Sequence, residues 1–163
     1  MKADKHKVDK TNAMRLLDAA QRIYEVHVYA DDKAYSGVEV AGMLGQDPDR
    51  VFKTLVTQGK SQQYYVFMIP VALELDLKKA AASVGEKHIA MVKSRELLGL
   101  TGYIHGGCSP IGMKKVFPTV IDESVELFDT IMCSGGRIGC QIEITYADLA
   151  SLIPISVADL THV

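Results

Sequence analysis

Hydrophobic and polar positions along this chain change period several times, and each change marks an element. Ala13, Leu16, Leu17 and Ala20 recur at helical spacing, with Thr11 or Asn12 placed to cap the start. From Glu25 to Tyr29 the period falls to two. Val26 and Val28 point one way and Glu25, His27 and Tyr29 the other, which predicts a half-buried strand. After a turn at Asp31-Asp32, Val38, Ala41 and Leu44 return to helical spacing, and Gly45 stands where a helix ends in a left-handed residue. Asp47-Pro48-Asp49 reads as a cap with proline at the first helical position, a single turn.

Two β-rich runs, Val51 to Gln58 and Gln63 to Pro70, joined by Gly59-Lys60-Ser61, predict a hairpin. A helix is predicted from Leu77 to Val84, between the cap Asp76 and the stop Gly85. His88 to Met91 reads as a short strand, and Ser94 opens a short helix that ends near Gly99. Val116 to Ile121 and Thr130 to Ser134 read as strands, and Gly135 to Gly139 as a turn. Cys140, Ile142 and Ile144 then alternate with Gln141, Glu143 and Thr145 in a last strand. Thr145 with Asp148 resembles a capping box for a final helix that stops before Pro154. Hairpins are frequent, and strands and helices do not alternate strictly. The prediction is an α+β fold with a mixed or antiparallel sheet.

Length and composition narrow the function classes. The chain has 163 residues, which suits one domain, with 48% hydrophobic and 23% charged residues. Its formal net charge is −2. Proteins that grip nucleic acid mainly through phosphates are usually strongly basic, so contact with nucleic acid is expected to be local and weak. Residues 1–10 are the exception: Lys2, Lys5, Lys7 and Lys10 make a basic N-terminal tail, either solvated or a phosphate-seeking arm. Cys108, Cys133 and Cys140 cannot all pair and form no C-x-x-C, which argues for a reducing cytoplasm and against a disulfide framework. The start, MKADKHKVDK, lacks the apolar core of a secretory signal. The longest uncharged apolar run, Tyr64 to Leu73, is too short to span a bilayer and contains Pro70. A soluble, cytoplasmic protein with no membrane contact is expected.

Residues 101 to 119, TGYIHGGCSPIGMKKVFPT, carry the first chemical signal. Four glycines and two prolines there suit an ordered loop that brings bare backbone close to a ligand, or else a tight structural turn. Gly106 and Gly107 have no Cβ, so a ligand can approach their N–H groups. Pro110 biases Ser109 toward an extended conformation. The second signal is Lys53, in a strand whose two faces are otherwise apolar. Such a lysine either snorkels to water at a sheet edge or is held in a pocket as a positive charge aimed at a ligand; Thr54 adds a hydroxyl. Ser109 is not in a G-x-S-x-G elbow, and Cys108, a free loop cysteine, is more often a small packed residue than a nucleophile. His6, His27, His88, His105 and His162 show no metal-ligand spacing, and neither a phosphate loop nor a dinucleotide fingerprint is present. No metal and no cofactor are expected.

Five segments in register resemble the YbaK/EbsC-type aminoacyl-tRNA editing domains, the Cys-tRNA(Pro) deacylases: VFKTL at 51–55, LDLKKAA at 75–81, TGYIHGGCSPIGMKK at 101–115, PTVID at 118–122 and SGGRIGCQIEI at 134–144. The resemblance covers nearly the whole chain beyond Lys10. It implies a single α+β domain at 11–163 with a mixed, partly barrel-like sheet surrounded by helices, and a pocket between the sheet and the glycine-rich loop. It implies a metal-independent ester hydrolase or lyase-type deacylase acting on mischarged Cys-tRNA(Pro), and with it Cys-tRNA(Cys). The alternatives are the same chemistry on Ala- or Ser-tRNA, or a non-catalytic aminoacyl-tRNA binding module. Editing is needed because a synthetase pocket for a small apolar side chain cannot strongly reject one of similar size.

By position, the resemblance implies Lys53, Gly106 and Gly107 as catalytic residues, the glycine N–H groups stabilising an oxyanion. It implies Tyr29, Tyr35, Thr54, Ser109 and Ser134 as substrate-binding residues. The substrate's own thiol would attack its carbonyl. Partners implied are the tRNA acceptor end and prolyl-tRNA synthetase. Two positions depart from the family: Tyr35 stands where phenylalanine is frequent, and Gln141 where an aspartate is frequent, so no carboxylate is available there for acid–base work.

Overall fold

Two sheets meet at one corner of this protein and part from there, and the gap between them sets the site. The computed structural model describes residues 9–162. Helix α1 (Asn12–Ala19) leads into β1 (Glu25–Val28), α2 (Gly37–Met43) and a 3₁₀ turn (Pro48–Arg50). The hairpin β2 (Phe52–Gly59) and β3 (Tyr64–Pro70) follows, then α3 (Leu77–Val84), β4 (Ile89–Met91) and α4 (Ser94–Thr101). After the glycine-rich loop come β5 (Thr119–Asp122), a 3₁₀ turn (Glu123–Leu127), β6 (Ile131–Ser134), β7 (Cys140–Ile144), α5 (Tyr146–Ala150) and β8 (Ile155–Ala158). Most of the basic tail expected at 1–10 lies outside the described residues; of the two that are described, Lys10 pairs with Asp18 of α1.

The larger sheet has the order β4-β2-β3-β5-β8, antiparallel among its first three strands and parallel from β3 to β8. The smaller sheet, β1-β7-β6, is antiparallel. A single parallel bridge, Val51 to Met132, joins the two. The fold is α+β with a mixed sheet, as expected, and the two sheets do not close into a barrel. Closing a barrel needs a continuous ladder from β2 to β6, and only one residue pair of it forms.

Local chemistry accounts for most of the boundaries. Thr11, not Asn12, caps α1, its Oγ1 accepting from Met14 N at 3.2 Å. Ser36 and Glu39 cap α2 reciprocally. Asp76 caps α3 and Gly85, left-handed at φ 73°, ends it. Strand β5 starts three residues later than its apolar run because Pro118 has no N–H for the ladder. Strand β8 follows Pro154 and was not expected. Four residues of mixed polarity give little local signal, and the strand exists because its backbone pairs with β5.

One face of the larger sheet, with Phe52, Met68 and Ile121, packs on Cys133, Cys140, Ile142 and Ile144 of the smaller sheet and on Ala13, Met14 and Leu17 of α1. The other face, with Phe67, Ile69 and Val120, packs on Ala80 and Ala81 of α3. Burial pushes the Cys133 thiol up to about 12. Strand β1 leaves both its valines open, Val26 being 40% and Val28 59% exposed, while His27 between them is half-buried. As an edge strand β1 overhangs the core, and its backbone ladder to β7 and the His27–Glu143 contact hold it, with further side-chain bonds at the Glu143 end.

Those bonds converge on Glu143 of β7. Its carboxylate accepts from Thr130 Oγ1 at 2.6 Å and Arg50 Nη2 at 2.9 Å, and meets His27 Nε2 at 3.0 Å. The Thr130 hydroxyl first, then Arg50 and His27, lower its pKa from 4.5 to about 2 against the opposing effect of burial. A depressed carboxylate stabilises the fold above the unfolded pKa, and that stability is lost as pH falls from about 4.5 towards 2. Glu143→Gln leaves the half-buried Arg50 guanidinium without a counter-charge and is expected to cost roughly 1–3 kcal/mol at pH 7. Urea unfolding at a series of pH values checks both parts: the variant should lose stability at neutrality and be less sensitive to acid.

Candidate functional site

Strand β2 has one edge that is covered only in part. It pairs with β3 from Phe52 to Gln58, but with β4 only from Thr57 to Gly59. Beyond Val51, where the two sheets touch, β6 diverges from β2. In an antiparallel strand the N–H and C=O of alternate residues point to the same edge. Val56 turns its carbonyl towards the β4 side, accepting from Val92 N at 3.1 Å. Thr54, two residues earlier, therefore presents its backbone groups to the uncovered stretch of that edge.

A cavity of about 300 Å³ occupies this gap. Strand β2 supplies Lys53 and Thr54, the smaller sheet Ser134 and Gln141, the segment between β1 and α2 Tyr29 and Tyr35, and the glycine-rich loop His105, Gly106 and Cys108. Val40, Phe52, Leu55, Val56, Val71 and Leu97 form an apolar wall. Lys53 and the glycine-rich loop thus face one space. Desolvation lowers the Lys53 pKa from its usual value, with the negative charge of Glu74 opposing the shift.

Each flank is anchored. Tyr29 N donates to Gly139 O at 2.9 Å, which ties the end of β1 to the β6–β7 turn. Tyr35 donates from its hydroxyl to Asp32 Oδ1 at 2.6 Å, and the Lys33 ammonium sits 5.0 Å from its ring centroid. Ser134 Oγ accepts from Gly136 N at 3.2 Å. Gly106 has φ 87°, and a Cβ there would lie 2.9 Å from the Ala34 side chain. Four buried side-chain polar atoms have no partner among the described residues, Arg50 Nε, Ser124 Oγ, Thr54 Oγ1 and Gln141 Oε1. The last two belong to residues that line the cavity.

Two expected site residues have other duties. The Gly107 N–H donates to Ile104 O at 3.0 Å, so it is not a free donor for an oxyanion. Gly107 is required for packing: a Cβ there would fall 2.7 Å from Arg137 Cα. Ser109 is fully buried and does not line the cavity, and its Oγ accepts from Ile111 N at 3.2 Å. It shapes the loop rather than touching a ligand. Ser109→Ala is expected to keep activity within about threefold of wild type while costing about 1 kcal/mol of stability; activity assays and thermal melts on one preparation test this. Cys108 does line the cavity, but burial pushes its thiol up to about 11, which keeps it protonated and a poor nucleophile.

The sequence singled out the loop that holds His105 but gave no sign that this side chain or the apolar wall lines a cavity, because the cavity is assembled from separate segments. Gln141 stood out only as a departure from the family. Glu25, His27 and Glu143 bring three potential metal-ligating atoms within 4.8 Å of one another, a proximity invisible in their spacing. In the structure Glu143 is already engaged by Thr130 and Arg50. Among the described residues no helix is long and apolar enough to cross a membrane.

A family model described as an aminoacyl-tRNA editing domain matches residues 31–152. A curated Enterococcus faecalis protein, described as "Putative Cys-tRNA(Pro)/Cys-tRNA(Cys) deacylase EbsC", is 41% identical over 160 residues, covering 98% of this chain and 98% of that one. A crystal structure titled as a "putative trans-editing enzyme for prolyl tRNA synthetase" superposes with a TM-score of 0.81 at 26% identity, covering 96% of this chain and 100% of that one. A crystal structure of a hypothetical protein superposes with a TM-score of 0.83 at 21% identity, covering 93% of this chain and all of the other, and shares the fold.

Proposed function

Because this chain belongs to the aminoacyl-tRNA editing domain family, we propose that it deacylates mischarged tRNA in trans, with Cys-tRNA(Pro) as first substrate and Cys-tRNA(Cys) as second. The observation that carries this reading is the shared cavity: a half-desolvated lysine, an uncovered strand edge and a glycine-rich loop line one space with an apolar wall. Its volume suits a small amino acid and part of its adenosine. Lys53 holds the ribose or phosphate of the terminal adenosine by its ammonium. The Gly106 N–H and the backbone N–H of Thr54 receive the developing oxyanion, replacing the pair of glycine amides expected from sequence.

The chemistry balances without a protein nucleophile. The cysteine thiol sulfur bonds to its own carbonyl carbon, the ester C–O bond breaks, and the released tRNA hydroxyl takes up the proton the thiol loses. Water then opens the thiolactone to free cysteine. The nucleophile is held within one residue, so the step is intramolecular, and a nearby cation favours the thiolate. The near-neutral charge of the chain leaves recognition of the tRNA body to a partner, for which prolyl-tRNA synthetase fits, in the cytoplasm.

The test is release of amino acid from Cys-, Ala-, Ser- and Pro-tRNA, with wild type and Lys53→Ala side by side. Release from Cys-tRNA that the variant loses supports the reading. Faster release of alanine or serine would move the substrate, and no release of any amino acid at high enzyme concentration would leave a binding module.

A further inference from the structure

Among the described residues, those lining the cavity include no carboxylate. Those that can titrate are Lys53 from β2, His105 and Cys108 from the glycine-rich loop, and Tyr29 and Tyr35. Most carboxylates on the surrounding elements are engaged by neighbours, and Asp31, between Tyr29 and Tyr35, sits against Gly139 and does not line the cavity. Glu143, two residues beyond Gln141 on β7, is engaged by Thr130, Arg50 and His27. Asp32 accepts from Tyr35, Glu39 from Ser36 N, and Glu96 of α4 from Lys93 N. Glu74, the acidic partner felt by Lys53, is exposed and does not line the cavity.

An aminoacyl ester brings an α-amine into this space. As an ammonium it would share a partly desolvated cavity with Lys53, and like charges disfavour the charged form. Burial alone already works against the charge on Lys53. Gln141, buried and with its Oε1 unpartnered, offers a neutral carboxamide instead of a counter-ion. The unpartnered Oε1 accepts from an amine in either protonation state, but the carboxamide brings no charge to offset repulsion between an ammonium and Lys53, so the neutral amine keeps the bond at less cost.

Building on the deacylase reading, we propose that this site takes the aminoacyl end with its α-amino group neutral, against Gln141, so that binding strengthens as pH rises through the titration of the substrate amine. Selection is then for an uncharged amine, and cationic substrate is bound poorly.

Two non-hydrolysable probes test this on the full chain by calorimetry between pH 6.0 and 8.5: adenosine carrying cysteine through a 3′ amide, and its counterpart lacking the α-amino group. With an amine pKa of about 7.7, the neutral fraction, and with it the affinity for the amino probe, should rise about 40-fold over this range. The probe without the amine should change less than about threefold, which removes the titration of His105 and Lys53 from the comparison. Gln141→Asp should bind the amino probe at pH 6.0 at least tenfold more tightly than wild type and lose the rise. An amino-probe affinity that is flat, or falls, with pH in wild type overturns the inference, as does an aspartate variant with the wild-type profile. If both probes bind without the predicted difference, only this inference falls. If neither binds at any pH, it falls together with the deacylase reading.

Discussion

Lys53→Ala is expected to lower cysteine release from Cys-tRNA(Pro) by at least about 10³-fold while leaving unfolding within about 1 kcal/mol of wild type. The loss follows from location. Lys53 is the lysine lining the cavity, and a charge acting in a partly desolvated space is worth more than the same charge in water. Removing one well-placed electrostatic contact typically costs about 10²–10³ in rate, and Lys53 both orients the adenosine and favours the thiolate. The small stability effect follows from the same burial. Desolvation opposes the charge, and no salt bridge holds it among the described residues, so its removal strands no partner. Lys53→Met keeps the aliphatic stem and should be as inactive as the alanine variant. Full turnover in either would place the chemistry elsewhere in the cavity.

Gly107→Ala is expected to be the most damaging single methyl group in the glycine-rich loop. Its Cβ would lie 2.7 to 2.8 Å from Arg137 Cα, Arg137 C and Ile138 N, all backbone atoms that cannot rotate away. Either the 135–139 turn or the glycine-rich loop must shift. Overpacking of this kind costs roughly 1–3 kcal/mol. The same displacement would move Gly106 and Cys108 at the cavity wall, and an error of about 1 Å in a reacting geometry can cost about 10²-fold in rate. Gly102 is the control for loop crowding, since a Cβ there meets only the flexible Lys114 side chain at 3.4 Å; its φ of 84° adds strain but no backbone clash. Thermal melts and steady-state deacylation of the two alanine variants check this. A Gly107→Ala protein as stable and active as wild type would show that the loops are not closely packed in solution.

Elements with strong periodic patterns were legible without coordinates. Strands β2, β3 and β7 carry enough apolar residues, and α1 and α3 enough capping chemistry, for local preference and tertiary packing to agree. Where they disagreed, long-range pairing decided. β8 exists through its parallel register with β5, and β1 is held by its ladder to β7 and the His27–Glu143 contact rather than by its valines. The candidate site divides in the same way. Lys53 stood out as a charge in an apolar strand and Gly106 as part of an unusual loop, while Gly107 and Ser109 looked alike from sequence and proved to be occupied by packing and turn bonds.

Residue order alone therefore determined the fold class, most elements, the family and the lysine at the centre of the site, because period, capping and motif register are local or additive properties. Tertiary structure decided that the sheets stay open, which backbone amides remain free, and that no carboxylate among the described residues lines the cavity. Those facts depend on how strands far apart in the chain diverge after a single shared bridge, and side-chain spacing does not encode that geometry.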